Sequence, residues 1–207
     1  MASESRGLSR AIRVPPGLAA AVLALLTGTA AAAADSLPPT VAPPASEPPA
    51  LLLVNERNPL EGVLTGGAPK DLEGFRELAA AGFHTFVDLR ADAESLAEAR
   101  GAAEGAGLVY ESIPVSGEAE IDLASARRLE AVLDDVTRYP IAVACSSGNR
   151  AGALLAVESF WLDGVSPEAA LALGKSAGLT RLEPSVRLLL GLPPAQEPPA
   201  KPAAPTP

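Results

Sequence analysis

Cys145 is the one cysteine of the chain, and it stands before Ser146-Ser147-Gly148-Asn149-Arg150, a run of small polar residues that ends in a guanidinium. A short loop of this kind can turn successive backbone N–H groups inward, and a helix starting from it adds further N–H groups and the positive end of its dipole. Such a cradle suits an anion. The same field favours thiolate over thiol, which would make Cys145 a nucleophile at neutral pH. Arg150 can close the ring with a two-pronged grip on an oxyanion. Ser146, Ser147, Gly148, Asn149 and Arg150 are therefore the expected anion-binding loop, with Cys145 and Arg150 as expected catalytic residues. The plainer alternative makes Cys145 a small apolar residue at the end of a core strand, as most free cysteines are. Its polar loop is what favours chemistry.

A strand must precede that loop and a helix must follow it. Ile141–Ala144 reads as a buried strand, and a helix carrying Leu154, Leu155, Val157, Trp161 and Leu162 runs from the loop to Gly164. A loop between strand and helix is where open α/β sheets bind ligands. Upstream, Leu72, Phe75, Leu78 and Ala79 recur at helical spacing from Pro69, with Gly82 placed as a C-terminal cap. Thr85–Leu89 reads as a strand, Ala93–Ala106 as a helix stopping at Gly107, and Leu108–Val115 as the next strand. Asp122 is placed to cap a helix with Leu123, Ala126, Leu129, Leu133 and Val136 on one face. Ser166-Pro167-Glu168 starts another helix, and Pro184 opens a last one. Alternating strands and helices of these lengths predict an α/β three-layer sandwich with a mostly parallel central sheet flanked by helices.

The chain has 207 residues, is 48% hydrophobic but only 3% aromatic, and carries a net charge of −9. Residues 1–34 read as an export signal: Arg6, Arg10 and Arg13 precede the apolar Gly17–Leu26, and small residues run to Ala34, where cleavage is expected. An uncleaved inner-membrane anchor over Gly17–Ala34 is the alternative. Without the three arginines and one glutamate of that segment the charge falls from −9 to −11. An acidic surface of this kind repels phosphodiester backbones and argues against a nucleic-acid partner. The mature product is expected to be periplasmic or extracellular, with no stable membrane insertion after cleavage. Residues 35–50 and 193–207 are proline-alanine tracts, read as a linker and a disordered tail, which leaves 51–192 as the folded domain. One cysteine excludes an intrachain disulfide and a multi-cysteine zinc site, and one histidine excludes most histidine metal clusters.

The order and spacing of several blocks go further. Leu64-Thr65-Gly66-Gly67-Ala68-Pro69, Ala81-Gly82-Phe83 leading to Val87-Asp88-Leu89-Arg90, Tyr110 with Ile113-Pro114-Val115, Cys145–Gly152, and Ala177-Gly178-Leu179 together span the whole folded unit. In these blocks the chain resembles the bacterial beta-lactamase hydrolase-like, phosphatase-like proteins of the protein tyrosine phosphatase superfamily. The resemblance implies a dual-specificity-phosphatase-like fold and a reaction in which Cys145 attacks phosphorus. It further implies that Arg150 binds the equatorial oxygens and that a carboxylic acid protonates the leaving group, with no metal or organic cofactor. The chain departs from the usual phosphatase loop in two ways. Four residues, Ser146–Asn149, separate cysteine from arginine instead of five, which is the count of rhodanese sulfurtransferases, although such short loops also occur in the phosphatase-like family. Ala144 stands where phosphatases usually have a histidine that supports the thiolate.

The candidate general acids are Glu118 and Asp122, in the segment after Ile113-Pro114-Val115, with Glu120 between them. Asp122 has the competing role of helix cap, and Glu118, after Gly117, is freer to move. Asp88 and Arg90 could face the site or form an ion pair that fixes a strand end. His84 reads as an edge residue, Phe160 and Trp161 as core, and Glu94–Glu104 as a solvated helix face. The preferred function is an exported, cysteine-dependent, protein tyrosine phosphatase-like hydrolase that acts on a phosphate monoester through a phosphocysteine. Its substrate would be small and anionic, or phosphorylated. The alternatives are a sulfurtransferase carrying a persulfide on Cys145 and a non-catalytic oxyanion-binding module.

Overall fold

The computed structural model describes residues 52–195. The leader expected over residues 1–34, the tract at 35–50 and all but the first three residues of the tail lie outside the described residues. Five strands form one sheet: β1 (Val54–Leu60), β2 (Val63–Gly67), β3 (Thr85–Asp88), β4 (Val109–Ser112) and β5 (Ile141–Cys145). Their order is β1-β2-β5-β3-β4, with β2, β5, β3 and β4 parallel and β1 antiparallel to β2. The helices are α1 (Leu72–Ala80), α2 (Ala93–Gly105), α3 (Leu123–Leu133), α4 (Asn149–Trp161), α5 (Pro167–Ser176) and α6 (Glu183–Leu189).

Strand alternation divides the core in two. Ile141, Val143 and Cys145 of β5 face a cluster built with Leu129, Leu154, Leu155 and Val186 from α3, α4 and α6. Ala142 and Ala144 face the other way, onto Phe75 and Leu78 of α1 and Ala99 and Ala103 of α2. The small alanines leave that face to Phe86, which meets Phe75 edge to face with ring centres 4.9 Å apart. The result is the expected three-layer α/β sandwich. Because β5 lies between β2 and β3, its C-terminal end is flanked on both sides, with Gly67 beside Cys145 and Asp88 beside Ala144.

Some elements depart from the sequence expectation for identifiable reasons. Helix α1 starts at Leu72, not near Pro69, because the Asp71 carboxylate accepts the Gly74 N–H at 3.0 Å and fixes the first turn. Helix α3 ends at Leu133. Val136, expected on its buried face, lies instead in a 3₁₀ turn and is 82% exposed, because Asp135 accepts the Thr137 N–H and starts that turn. Strand β4 is shorter than Leu108–Val115, although Ile113 and Val115 still donate N–H groups to Asp88 and Leu89. β1 and β2 carry weak strand signals, since β1 reads VNERNPL and β2 ends in two glycines.

Candidate active site

Cys145 is the last residue of β5 and is 1% exposed. Its Sγ accepts N–H groups from Gly148 at 3.1 Å and Ser147 at 3.5 Å. Gly148 holds φ +91° and caps α4, a left-handed conformation suited to glycine, and it packs against the Gly66 backbone. Burial pushes the thiol pKa up. The N–H groups of Ser147, Arg150 and Ala151 and the charge of Arg150 outweigh burial, so the net shift is downward. The polar loop and helix start thus set the chemistry of a thiol that the strand has placed in the core.

Arg150 lies on the first turn of α4 and ties three segments together. One terminal nitrogen, Nη1, donates to the Val115 carbonyl at 2.7 Å and the Leu89 carbonyl at 3.3 Å, while Nη2 donates to Ser146 Oγ at 2.8 Å. Nε makes no hydrogen bond within the described residues, so the guanidinium is held at one end and offers Nε and part of Nη2 to a ligand. Asn149 uses its side chain differently from the rest of the loop. Its Oδ1 accepts the Thr180 N–H at 2.8 Å, the Thr180 hydroxyl at 3.1 Å and the Leu182 N–H at 3.4 Å, fastening the segment after α5 to the start of α4.

The glycine blocks singled out in the sequence wall this loop. A Cβ at Gly67 would come 2.8 Å from the Ser146 carbonyl oxygen, and one at Gly66 would come 2.7 Å from Leu53 Cβ. The Ala68 N–H donates to the Cys145 carbonyl at 2.7 Å, and the Thr65 hydroxyl donates to the Ala177 carbonyl at 2.9 Å. Asn55 was not among the expected site residues, yet its Nδ2 donates to the Ser147 carbonyl at 3.3 Å. An asparagine in a polar edge strand carries no spacing signal that could have identified it.

Asp88 and Arg90 form the ion pair that fixes a strand end. The Asp88 side chain is fully buried, Arg90 Nη2 donates to it at 2.7 Å and Nε at 3.0 Å, and the Tyr110 hydroxyl donates at 3.1 Å. The Asp88 hydrogen bond raises the Arg90 pKa, and the Cys145 charge adds to that, so Arg90 belongs to the same electrostatic neighbourhood as the thiol. Burial and Asp88 push the Tyr110 hydroxyl up, which keeps it neutral. A cleft of about 410 Å³ opens beside this pair between α1 and α2, with Lys70 and Arg90 on its wall and Cys145 outside it.

The three carboxylates after β4 differ. Asp122 caps α3, accepting the Ser125 N–H at 2.8 Å while Ser125 Oγ accepts the Asp122 N–H at 3.1 Å, and that capping holds its pKa below the usual range. Glu120 accepts the Ser116 N–H and is likewise lowered. Glu118 is exposed; its backbone carbonyl accepts the Ile121 N–H at 3.1 Å, while its carboxylate makes no hydrogen bond among the described residues. It lies three residues beyond Val115, whose carbonyl holds Arg150, within about 11 Å of it along the chain. His84 is exposed at the start of β3, beside Pro140, and β5 separates it from Cys145 by about 13 Å. Phe160 and Trp161 are half-buried against the core on the α4 side, and the described acidic residues of α2, Glu98 and Glu104, are exposed. No group of three or more His, Cys, Asp or Glu that could hold a metal ion occurs among the described residues. None of the described helices is long and apolar enough to cross a membrane.

Solved structures share this architecture. A candidate phosphatase (DUF442) from Shewanella putrefaciens CN-32 superposes with a TM-score of 0.52 at 19% identity, covering 67% of this chain and 90% of that one. A candidate phosphatase from Neisseria meningitidis Z2491 gives 0.54 at 19% identity, covering 64% and 94%. The Siw14 catalytic core gives 0.54 at 13% identity, covering 70% and 88%. No protein-family model matches the chain, and no curated protein matches it in sequence. At these identities the likeness is one of fold, and it bears out the expected class: the chain has a protein tyrosine and dual-specificity phosphatase-like fold.

Proposed function

We propose that the chain is an exported phosphatase-like hydrolase that cleaves a phosphate monoester through a phosphocysteine on Cys145. The observation that carries the reading is the convergence of the Gly148 and Ser147 N–H groups on a thiol whose pKa is lowered, on a fold shared with phosphatases. In the first step the Cys145 thiolate attacks phosphorus, the S–P bond forms, and the P–O bond to the leaving group breaks. Loop N–H groups and the Nε edge of Arg150 hold the equatorial oxygens as charge builds on them. The leaving oxygen takes a proton from Glu118, the carboxylate in that segment not already engaged by a backbone N–H. In the second step water attacks phosphorus and gives a proton back to the Glu118 carboxylate, the S–P bond breaks with its electron pair on sulfur, and inorganic phosphate leaves as the thiolate is regenerated. Neither step calls for a metal or an organic cofactor.

The four-residue spacing between Cys145 and Arg150 favours a second reading, persulfide transfer. There the thiolate attacks the outer sulfur of thiosulfate, a new S–S bond forms, and sulfite leaves with the electron pair of the broken one. The deciding experiment incubates the protein and Cys145→Ser with an aryl phosphate of low leaving-group pKa, and separately records intact mass after thiosulfate. Aryl alcohol release by the native protein, absent in Cys145→Ser, is the expected result. A mass gain of one sulfur without phosphate turnover would install the sulfurtransferase, and neither signal would leave an oxyanion-binding module. Export rests on residues 1–34, and a mature N-terminus near Asp35 checks it.

A further inference from the structure

Asn55 has a backbone conformation and a contact that the proposed mechanism does not use. It is the one non-glycine residue at positive φ among the described residues, at +54°. The pairing of β1 with β2 slips there: Val54 faces Gly67 and Arg57 faces Thr65, so Asn55 and Glu56 together oppose the single residue Gly66. A bulge with one residue in the left-handed region is a position where glycine is the usual occupant. Asparagine tolerates that conformation better than other side chains and brings an amide. Here the amide reaches across to the nucleophile loop, with Nδ2 donating to the Ser147 carbonyl at 3.3 Å.

That carbonyl belongs to the same peptide unit as the Gly148 N–H, which donates to Cys145 Sγ at 3.1 Å. Because a trans peptide is planar, its C=O and N–H point in opposite directions. Fixing the oxygen toward β1 therefore fixes the hydrogen toward sulfur, and a donor on the oxygen also polarises the N–H that meets the thiolate. We propose that Asn55 is a positioning residue for Cys145, holding the Ser147–Gly148 peptide with its carbonyl on β1 and its N–H on Sγ. The inference rests on the reading that Cys145 is the nucleophile, and it assigns β1, which carries no catalytic group, a part in setting that nucleophile. Gly66 and Gly67 make the approach possible, since a Cβ at Gly66 would meet the Val54 carbonyl oxygen at 2.8 Å and one at Gly67 would meet Val54 Cβ at 3.1 Å.

The test is the pH profile of Cys145 alkylation by iodoacetamide in the native protein, Asn55→Gly and Asn55→Asp, with circular dichroism and melting temperature as checks on folding. Glycine suits the bulge, so Asn55→Gly removes the amide while keeping the backbone. The expected result is a midpoint moved to higher pH in Asn55→Gly, with alkylation at pH 6 slowed about threefold, the low end of the effect of one hydrogen bond. Asn55→Asp, which sets a carboxylate against the Ser147 carbonyl, should slow it further. A native midpoint in Asn55→Gly would overturn the proposal. So would a shift confined to Asn55→Asp, because the added charge would then explain it. A native protein whose own midpoint is that of an ordinary cysteine would overturn the nucleophile reading and this inference with it, which keeps the two failures distinct.

Discussion

Burial alone would make Cys145 a poor nucleophile, because a thiolate cut off from water is penalised, and the loop N–H groups with Arg150 reverse that balance. The Nη1 end of the Arg150 guanidinium is anchored on the Val115 and Leu89 carbonyls, and under the proposed function its Nε edge has a second task, holding the anion. A lysine in its place keeps the charge but cannot do both, since an ammonium has no fork. Arg150→Lys should weaken phosphate or vanadate binding by about 2 kcal/mol, within the range for charge-assisted hydrogen bonds. Isothermal titration measures this, and unchanged affinity would mean that the Nε edge does not face the ligand. Cys145 and Arg150 could be found in the sequence because loop chemistry is local and both residue types are distinctive. The groups that hold Arg150 could not, because two of them are backbone carbonyls of residues 61 and 35 positions away.

Helices and strands were legible where their signals are local. Asp122 and Ser125 cap α3 reciprocally, and Ser166 with Pro167 starts α5. β1 and β2 were not legible as strands, because a polar edge strand and a run ending in Gly66-Gly67 lack alternation, and their form is fixed by pairing and by proximity to the Cys145 loop. The sequence left Asp122 between cap and general acid, and a stability measurement separates those roles. Asp122→Ala should lower unfolding free energy at pH 7 by about 1 kcal/mol, the usual effect of losing a cap. Because the folded pKa of Asp122 lies below its ordinary value, its contribution is fully present above that value and is lost as pH falls through the folded pKa. The gap between native protein and variant should therefore close toward strongly acid pH in denaturant titrations. A variant of native stability with slowed release of poor leaving groups would instead make Asp122 the acid.

The molecule as a whole brings five separate stretches to the C-terminal edge of its sheet. These are the Cys145 loop, the end of β3 at Leu89, the segment at Val115, the turn at Gly66–Ala68, and the stretch from Ala177 to Thr180. The alternation of strands and helices predicted that such an edge would exist, since parallel strands all finish on the same side. Which chain segments meet there depends on the strand order β1-β2-β5-β3-β4, and no local pattern encodes that order. The net charge is −9, so the positive potential that draws an anion must be local to this edge. The central claim is that the edge holds an activated thiolate inside an anion cradle, and the most direct test is the rate of iodoacetamide labelling of the native protein at pH 7, with and without phosphate. The account predicts fast labelling, because the loop N–H groups and Arg150 hold the thiol pKa below its ordinary value, and slowing when phosphate fills the loop. Labelling only after denaturation, with no protection by the anion, would contradict it and return Cys145 to the role of a core residue.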